Sequence, residues 1–119
     1  MKISTIAELQ RIIIDFRNKR DWKQFHNPKD LSLSLVLEAA ELTEHFQWKS
    51  SEEIKVYVKK NKAQIGDELA DVFYWVLLMS HDLQIDIVAA LKQKIRQNAR
   101  KYPIQKAKGN AKKYTEFRP

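Results

Sequence analysis

Along most of this chain the apolar residues recur every three or four positions, and no stretch alternates apolar and polar residues for long. That period belongs to helices packed on one face, so the chain reads as all-α. A first helix opens at Ser4 or Thr5, where Thr5-x-x-Glu8 fits a capping box. It presents Ile6, Leu9, Ile13 and Phe16 on one side and ends near Arg20. A second begins after Pro28 with Asp30 as N-cap and runs to about Phe46, with Leu35, Ala39, Leu42 and Phe46 as its apolar stripe. Glu38, Glu41 and His45 fall on the strip beside that stripe, where glutamates serving only solubility are not expected. Ser50-x-x-Glu53 starts a short charged helix over 51–60. The next helix, from near Lys62 to about Asp82, is apolar on nearly every side between Leu69 and Met79, which makes it the central helix of the fold. The last long helix follows Asp86 as N-cap and stops at Pro103. Residues 104–119 read as an extended basic tail behind a helical core of about 5–103, the whole forming one domain.

Composition narrows the class. With 119 residues, 44% hydrophobic and 31% charged, the chain is long enough for one core and too apolar for disorder. Two glycines and three prolines leave little room for the turns of a sandwich or barrel. The absence of cysteine excludes disulfides, thiolate catalysis, zinc fingers and iron–sulfur sites, and suits a reducing compartment. The first residues lack the apolar stretch of a signal peptide. Leu69–Met79 is too short for the roughly 20 residues that cross a bilayer, so a soluble, cytoplasmic protein without a membrane partner is expected. The net charge of +7 is uneven. Residues 92–119 hold ten of the 22 lysines and arginines and one acid, Glu116, while residues 1–91 are slightly acidic. A segment that basic either solubilises the chain or meets a polyanion.

Two acidic pairs carry the candidate chemistry: Glu38-Ala39-Ala40-Glu41 and Glu68-Leu69-Ala70-Asp71. A three-residue step sets both carboxylates of a pair on one helix face, about 5–6 Å apart at Cβ. If the two helices pack antiparallel, four carboxylates converge. Such a cluster is unfavourable alone, since like charges 4 Å apart repel by roughly 4 kcal/mol at an effective dielectric of 20. A divalent cation reverses the sign, and an all-oxygen set suits Mg²⁺ or Mn²⁺, ions that commonly work on phosphates. The competing reading leaves the acids on exposed helix faces. A di-iron bundle is excluded because none of His26, His45 and His81 follows a glutamate by three residues.

On the last long helix Lys94, Asn98 and Lys101 share a face and offer donors to phosphate oxygens. Trp22, Phe25 and Trp48 sit in or beside loops, where an aromatic ring can stack on a nucleobase. Trp75 suits the core or the wall of a pocket beside Glu68 and Asp71.

Glu38-x-x-Glu41, then 26 residues, then Glu68-x-x-Asp71, resembles the signature of the all-α NTP pyrophosphohydrolases, the MazG-like superfamily. Asp21-Trp22-Lys23-Gln24-Phe25-His26, Glu41-Leu42-x-Glu44-x-Phe46-Gln47-Trp48, Lys94-x-x-x-Asn98-x-x-Lys101-Tyr102-Pro103 and Lys112-Lys113-Tyr114-Thr115-Glu116 resemble its dCTP pyrophosphatase branch. The resemblance implies a four-helix core assembled as a dimer or dimer of dimers. It also implies hydrolysis of a nucleoside triphosphate, dCTP or a modified dCTP, to the monophosphate and pyrophosphate. By that likeness Glu38, Glu41, Glu68 and Asp71 would bind Mg²⁺. Trp22, His26, Trp48 and Trp75 would shape the base pocket, and Lys94, Asn98, Lys101 and Tyr102 would contact phosphates. Glu41, with Glu38 beside it, would be the group that takes a proton from water. Ile13 and Trp75 depart from the histidine and tyrosine of the animal dCTP enzymes and leave dUTP or oxidised nucleotides open as substrates. The remaining alternative is a non-catalytic helical module that binds nucleic acid through residues 92–119. It leaves the acidic pairs without a role, and no stable nucleic-acid partner is expected.

Overall fold

The computed structural model describes residues 5–118, among which there is no strand. Six helices follow in order: α1 (Ile6–Lys19), α2 (Pro28–Glu44), α3 (Ser51–Lys60), α4 (Lys62–Asp82), α5 (Ile87–Lys101) and the four-residue α6 (Ile104–Ala107). Among the described residues no single helix is long and apolar enough to cross a membrane. The chain divides into two compact units, one through Ile85 and one from Asp86 onward.

Local chemistry sets the helix ends. The Thr5 hydroxyl accepts from the Glu8 amide and caps α1; Ser4, the alternative start, lies outside the described residues. For α2 the cap is Asn27 and not Asp30. The Asn27 side chain accepts from the Asp30 amide at 2.9 Å and donates to the Asp30 carboxylate at 2.8 Å, and Pro28 occupies the first turn. Proline has no amide hydrogen to leave unpaired there, so the helix starts three residues before the position that Asp30 as cap would give. Ser50 and Glu53 close a reciprocal capping box on α3, and Asp86 caps α5 through the Ala89 amide. Residues 104–118 are not simply extended: α6 and a 3₁₀ turn over Tyr114–Glu116 fold them.

In the first unit α4 is the hub, packed by α1, α2 and α3. Its Leu77 and Leu78, with Leu31 of α2, are fully buried. Burying a leucine is worth about 1.5–3 kcal/mol. The inner face of α2 is turned slightly from the expected stripe: Leu31, Leu35, Glu38, Leu42 and His45 are buried or half-buried, while Ala39 is exposed. The inner face of α1 likewise runs Ile6, Gln10, Ile13 and Arg17, leaving Phe16 at the rim. Both helices direct polar side chains inward, and those of α1 find hydrogen-bond partners on α4. The Gln10 amide donates to the Leu77 carbonyl and the Ser80 hydroxyl, at 3.0 and 3.2 Å. Arg17, 1% exposed, forms a two-pronged pair with Asp82 at 2.7 and 2.8 Å.

Candidate metal centre

Because Glu38 lies on the inner face of α2, it meets α4. Glu38, Glu41 and Glu68 each bring a carboxylate oxygen to within 4.8 Å of the others. Glu38 and Glu68 are half-buried and Glu41 is exposed, so the trio opens to solvent on one side. One oxygen of Glu38 and one of Glu68 are buried without a hydrogen-bond partner. Buried acceptors are normally satisfied, so the arrangement lacks a positive or donating group. Burial is the largest cause holding the Glu38 carboxyl above its ordinary range, followed by the Asp71 charge and the contact with Glu41. Glu68 is raised mainly by burial and then by Glu41. Asp71, expected as a fourth ligand, is outside the tight trio and exposed, yet its charge acts on both Glu38 and Glu68.

This donor set fits a hard divalent cation: three carboxylates, no sulfur, and two buried oxygens without a hydrogen-bond partner. A cleft of about 430 Å³ beside it is lined by Glu41, Glu44, His45, Tyr57 and Glu68. Tyr57 had no signal in the sequence, since α3 reads as a charged surface helix. Its hydroxyl lies 2.6 Å from His45 Nδ1 and its ring lies under the Lys49 ammonium at 4.3 Å.

The aromatic candidates divide between places. His26 and Trp75 meet edge to face at 5.7 Å, and Trp75 also packs on Tyr74 at 5.0 Å. Trp22 stands against Phe16, whose ring carries the Arg20 guanidinium at 3.6 Å. Trp48 lies beyond the other end of α2, a helix of 17 residues and so about 25 Å long. It is 93% exposed and sits at φ 67°, a left-handed conformation costly for a bulky side chain. Ile13 is half-buried on α1. Lys94, Asn98 and Lys101 are exposed on α5, and Tyr102 follows its last turn.

An acidic trio between two helices of an all-α fold defines a class, and comparison with known proteins agrees. The chain belongs to the MazG-like family, which matches residues 33–117, and it is an enzyme of that family's pyrophosphatase type. It is 35% identical over 115 residues to dCTP pyrophosphatase 1 of Bos taurus, covering 95% of this chain and 68% of the relative. The Mus musculus protein of the same name is 36% identical over the same span. A crystal structure of a pyrophosphatase from Archaeoglobus fulgidus superposes with a TM-score of 0.79 at 37% identity, covering 86% of this chain and 99% of the other.

Proposed function

We propose that this protein is a Mg²⁺-dependent nucleoside triphosphate pyrophosphohydrolase whose substrate is dCTP or a modified dCTP. The observation that carries the reading is the carboxylate trio with its two buried, unpartnered oxygens. The names of the animal relatives support the choice of base. Glu38, Glu41 and Glu68 would hold the ion, with Asp71 adding negative charge beside them. Bound there, Mg²⁺ (or Mn²⁺) supplies the charge that neutralises and orients a triphosphate and eases deprotonation of water.

This chain's own groups do the rest. Glu41 is the exposed carboxylate of the trio and would receive a proton from the attacking water, with Glu38 beside it. Lys94 and Lys101 carry cationic donors, and Asn98 and Tyr102 neutral ones, of the kind that would meet phosphate oxygens. Trp22, His26 and Trp75 would supply ring faces and edges for the base, and Trp48, beyond the other end of α2, would join them only from a second copy of the chain. We also propose that the protein works as a dimer or dimer of dimers, because much apolar surface on α2 and α5 has no partner within its own unit.

The test is pyrophosphate release from a panel of triphosphates including dCTP, 5-substituted dCTP, dUTP and oxidised nucleotides, with Mg²⁺ and with EDTA. Turnover is expected to require the ion and to favour the cytosine nucleotides. Glu38→Ala and Glu68→Ala should each lower it about 100-fold or more, since such an ion contributes several kcal/mol to the transition state. Unchanged turnover in either variant would overturn the assignment of the site. Preference for dUTP or an oxidised base would overturn only the choice of substrate.

A further inference from the structure

The cleft beside the acidic trio has a wall that the proposed reaction leaves unused. Glu41, Glu44 and Glu68 share its lining with His45 and Tyr57. His45 follows Glu41 by four residues and so stands on the same side of α2, one turn further on. It closes that helix with helical backbone angles, φ −60° and ψ −28°, and is half-buried. Tyr57 of α3 and Phe46 pack near its ring, at 5.7 and 6.3 Å between centres. The Tyr57 hydroxyl also lies 2.6 Å from His45 Nδ1, while the Lys49 ammonium stands 4.3 Å over the Tyr57 ring.

The hydrogen bond at one imidazole nitrogen decides what the other can do. A neutral ring has one N–H and one bare nitrogen. With the proton on Nδ1, the bare Nε2 would share the cleft with three carboxylates and no donor. With the Tyr57 O–H donating to Nδ1, the proton sits on Nε2, and the ring carries a donor into a cleft rich in acceptors. Among the described residues no group accepts from Nε2. The trio supplies three oxygens, whereas Mg²⁺ takes about six in octahedral array. The missing oxygens must come from the open side, where Glu41 and Glu68 border the same cleft as His45.

Resting on the metal reading given above, we propose that His45 is a further binding residue of this site and Tyr57 its positioning residue. Tyr57 fixes the Nε2–H form of His45, and that N–H donates to an oxygen that the cation holds and the protein does not supply. The oxygen belongs either to a bound water or to the phosphate chain of the substrate. A Tyr57 that merely tied α3 to the end of α2 would serve equally well with either tautomer.

Two measurements on the full chain test this. The first is long-range proton–nitrogen correlation of the three histidine rings in metal-free protein near pH 8, above the ordinary histidine range. His45 is expected as a single Nε2–H form, and Tyr57→Phe should make the Nδ1–H form detectable. A proton on Nδ1 in the parent, alone or together with one on Nε2, would overturn the proposal. The second is calorimetric titration with Mn²⁺ alone, and with a non-hydrolysable dCTP analogue at saturating Mn²⁺. His45→Leu should weaken one of these about tenfold, the size of one lost charge-assisted hydrogen bond. Tyr57→Phe keeps the ring and should weaken the same one roughly threefold, as when about a third of the population stays competent. His45→Gln, whose amide reaches the place of Nε2, should recover most of the loss. A loss already present with Mn²⁺ alone names a bound water, and one confined to the analogue names a phosphate oxygen. Binding by the parent that is unchanged in His45→Leu, or no recovery in His45→Gln, would overturn this inference and leave the metal centre standing. A parent chain that binds no Mn²⁺ would overturn the metal centre and this inference with it.

Discussion

Among the described residues Arg17 is a charged side chain withdrawn almost completely from water. A guanidinium at 1% exposure must be compensated, and Asp82 supplies a two-pronged partner, although the Arg17 Nε keeps no hydrogen bond. Removing one member of such a pair leaves a buried charge alone. Asp82→Asn should therefore lower the unfolding free energy by about 3 kcal/mol in a urea titration. The pair also sets an acid limit. The hydrogen bonds from Arg17 hold the Asp82 carboxyl below its ordinary 3.8, so its contribution is complete above that pH and is lost as pH falls through the lower folded value. His26, whose Nδ1 is 3.4 Å from the Arg17 guanidinium, is held below its ordinary 6.5 by burial first and by the Arg17 charge second. A histidine that resists protonation when folded stabilises above 6.5 and loses that contribution as pH falls below it. The melting temperature should thus begin to drop just below pH 6.5, and His26→Gln should flatten that first part of the decline. None of this was legible in the sequence. The partner of Arg17 lies 65 residues away, beyond the reach of any local pattern.

At the scale of helices, the reading of boundaries succeeded because caps are local. Thr5, Ser50 and Asp86 occupy the positions their sequences suggest, and only Asp30, expected to cap α2, gives way to Asn27. Faces were less legible than ends. A small rotation of α2 separates the expected stripe through Ala39 from the observed one through Glu38, and only the partner helix selects between them. That rotation turns the half-buried Glu38 toward α4, where burial first and the neighbouring acids second raise its carboxyl. The prediction at this scale concerns the ion. Burial and neighbouring charges raise the Glu38 and Glu68 carboxyls, so in metal-free protein their ionisation opposes folding and this penalty grows as pH rises through the raised values. Mg²⁺ should cancel it. The gain in melting temperature on adding Mg²⁺ should be small near pH 4.5, larger at pH 7.5, and absent in Glu38→Gln combined with Glu68→Gln. Saturation at 100 times the dissociation constant corresponds to about 2.7 kcal/mol.

For the molecule as a whole, the unpaired apolar surface matters most. Leu33, Val36 and Leu37 stand exposed on one side of α2, opposite its core face, and Val88, Leu91 and Ile95 stand exposed along α5. Such stripes on amphipathic helices ask for a further packing partner. If α2 meets a second copy, Val36→Glu with Leu37→Glu should shift the sedimentation coefficient toward that of the 14.1 kDa chain. A coefficient unchanged from the parent would remove α2 from the interface.

The sequence by itself determined that the chain is helical, where its long helices start and stop, and that two acidic pairs stand on two of them. Those properties depend on hydrogen bonds and periodicity within a few residues. Tertiary structure decided the depth of each side chain. It drew Glu38, Glu41 and Glu68 into contact, left Asp71 at the margin, put Trp48 and His26 at opposite ends of α2, and buried Arg17 against Asp82. Depth and convergence depend on how one helix rotates against another, and that angle is settled by side chains far apart in the chain packing together.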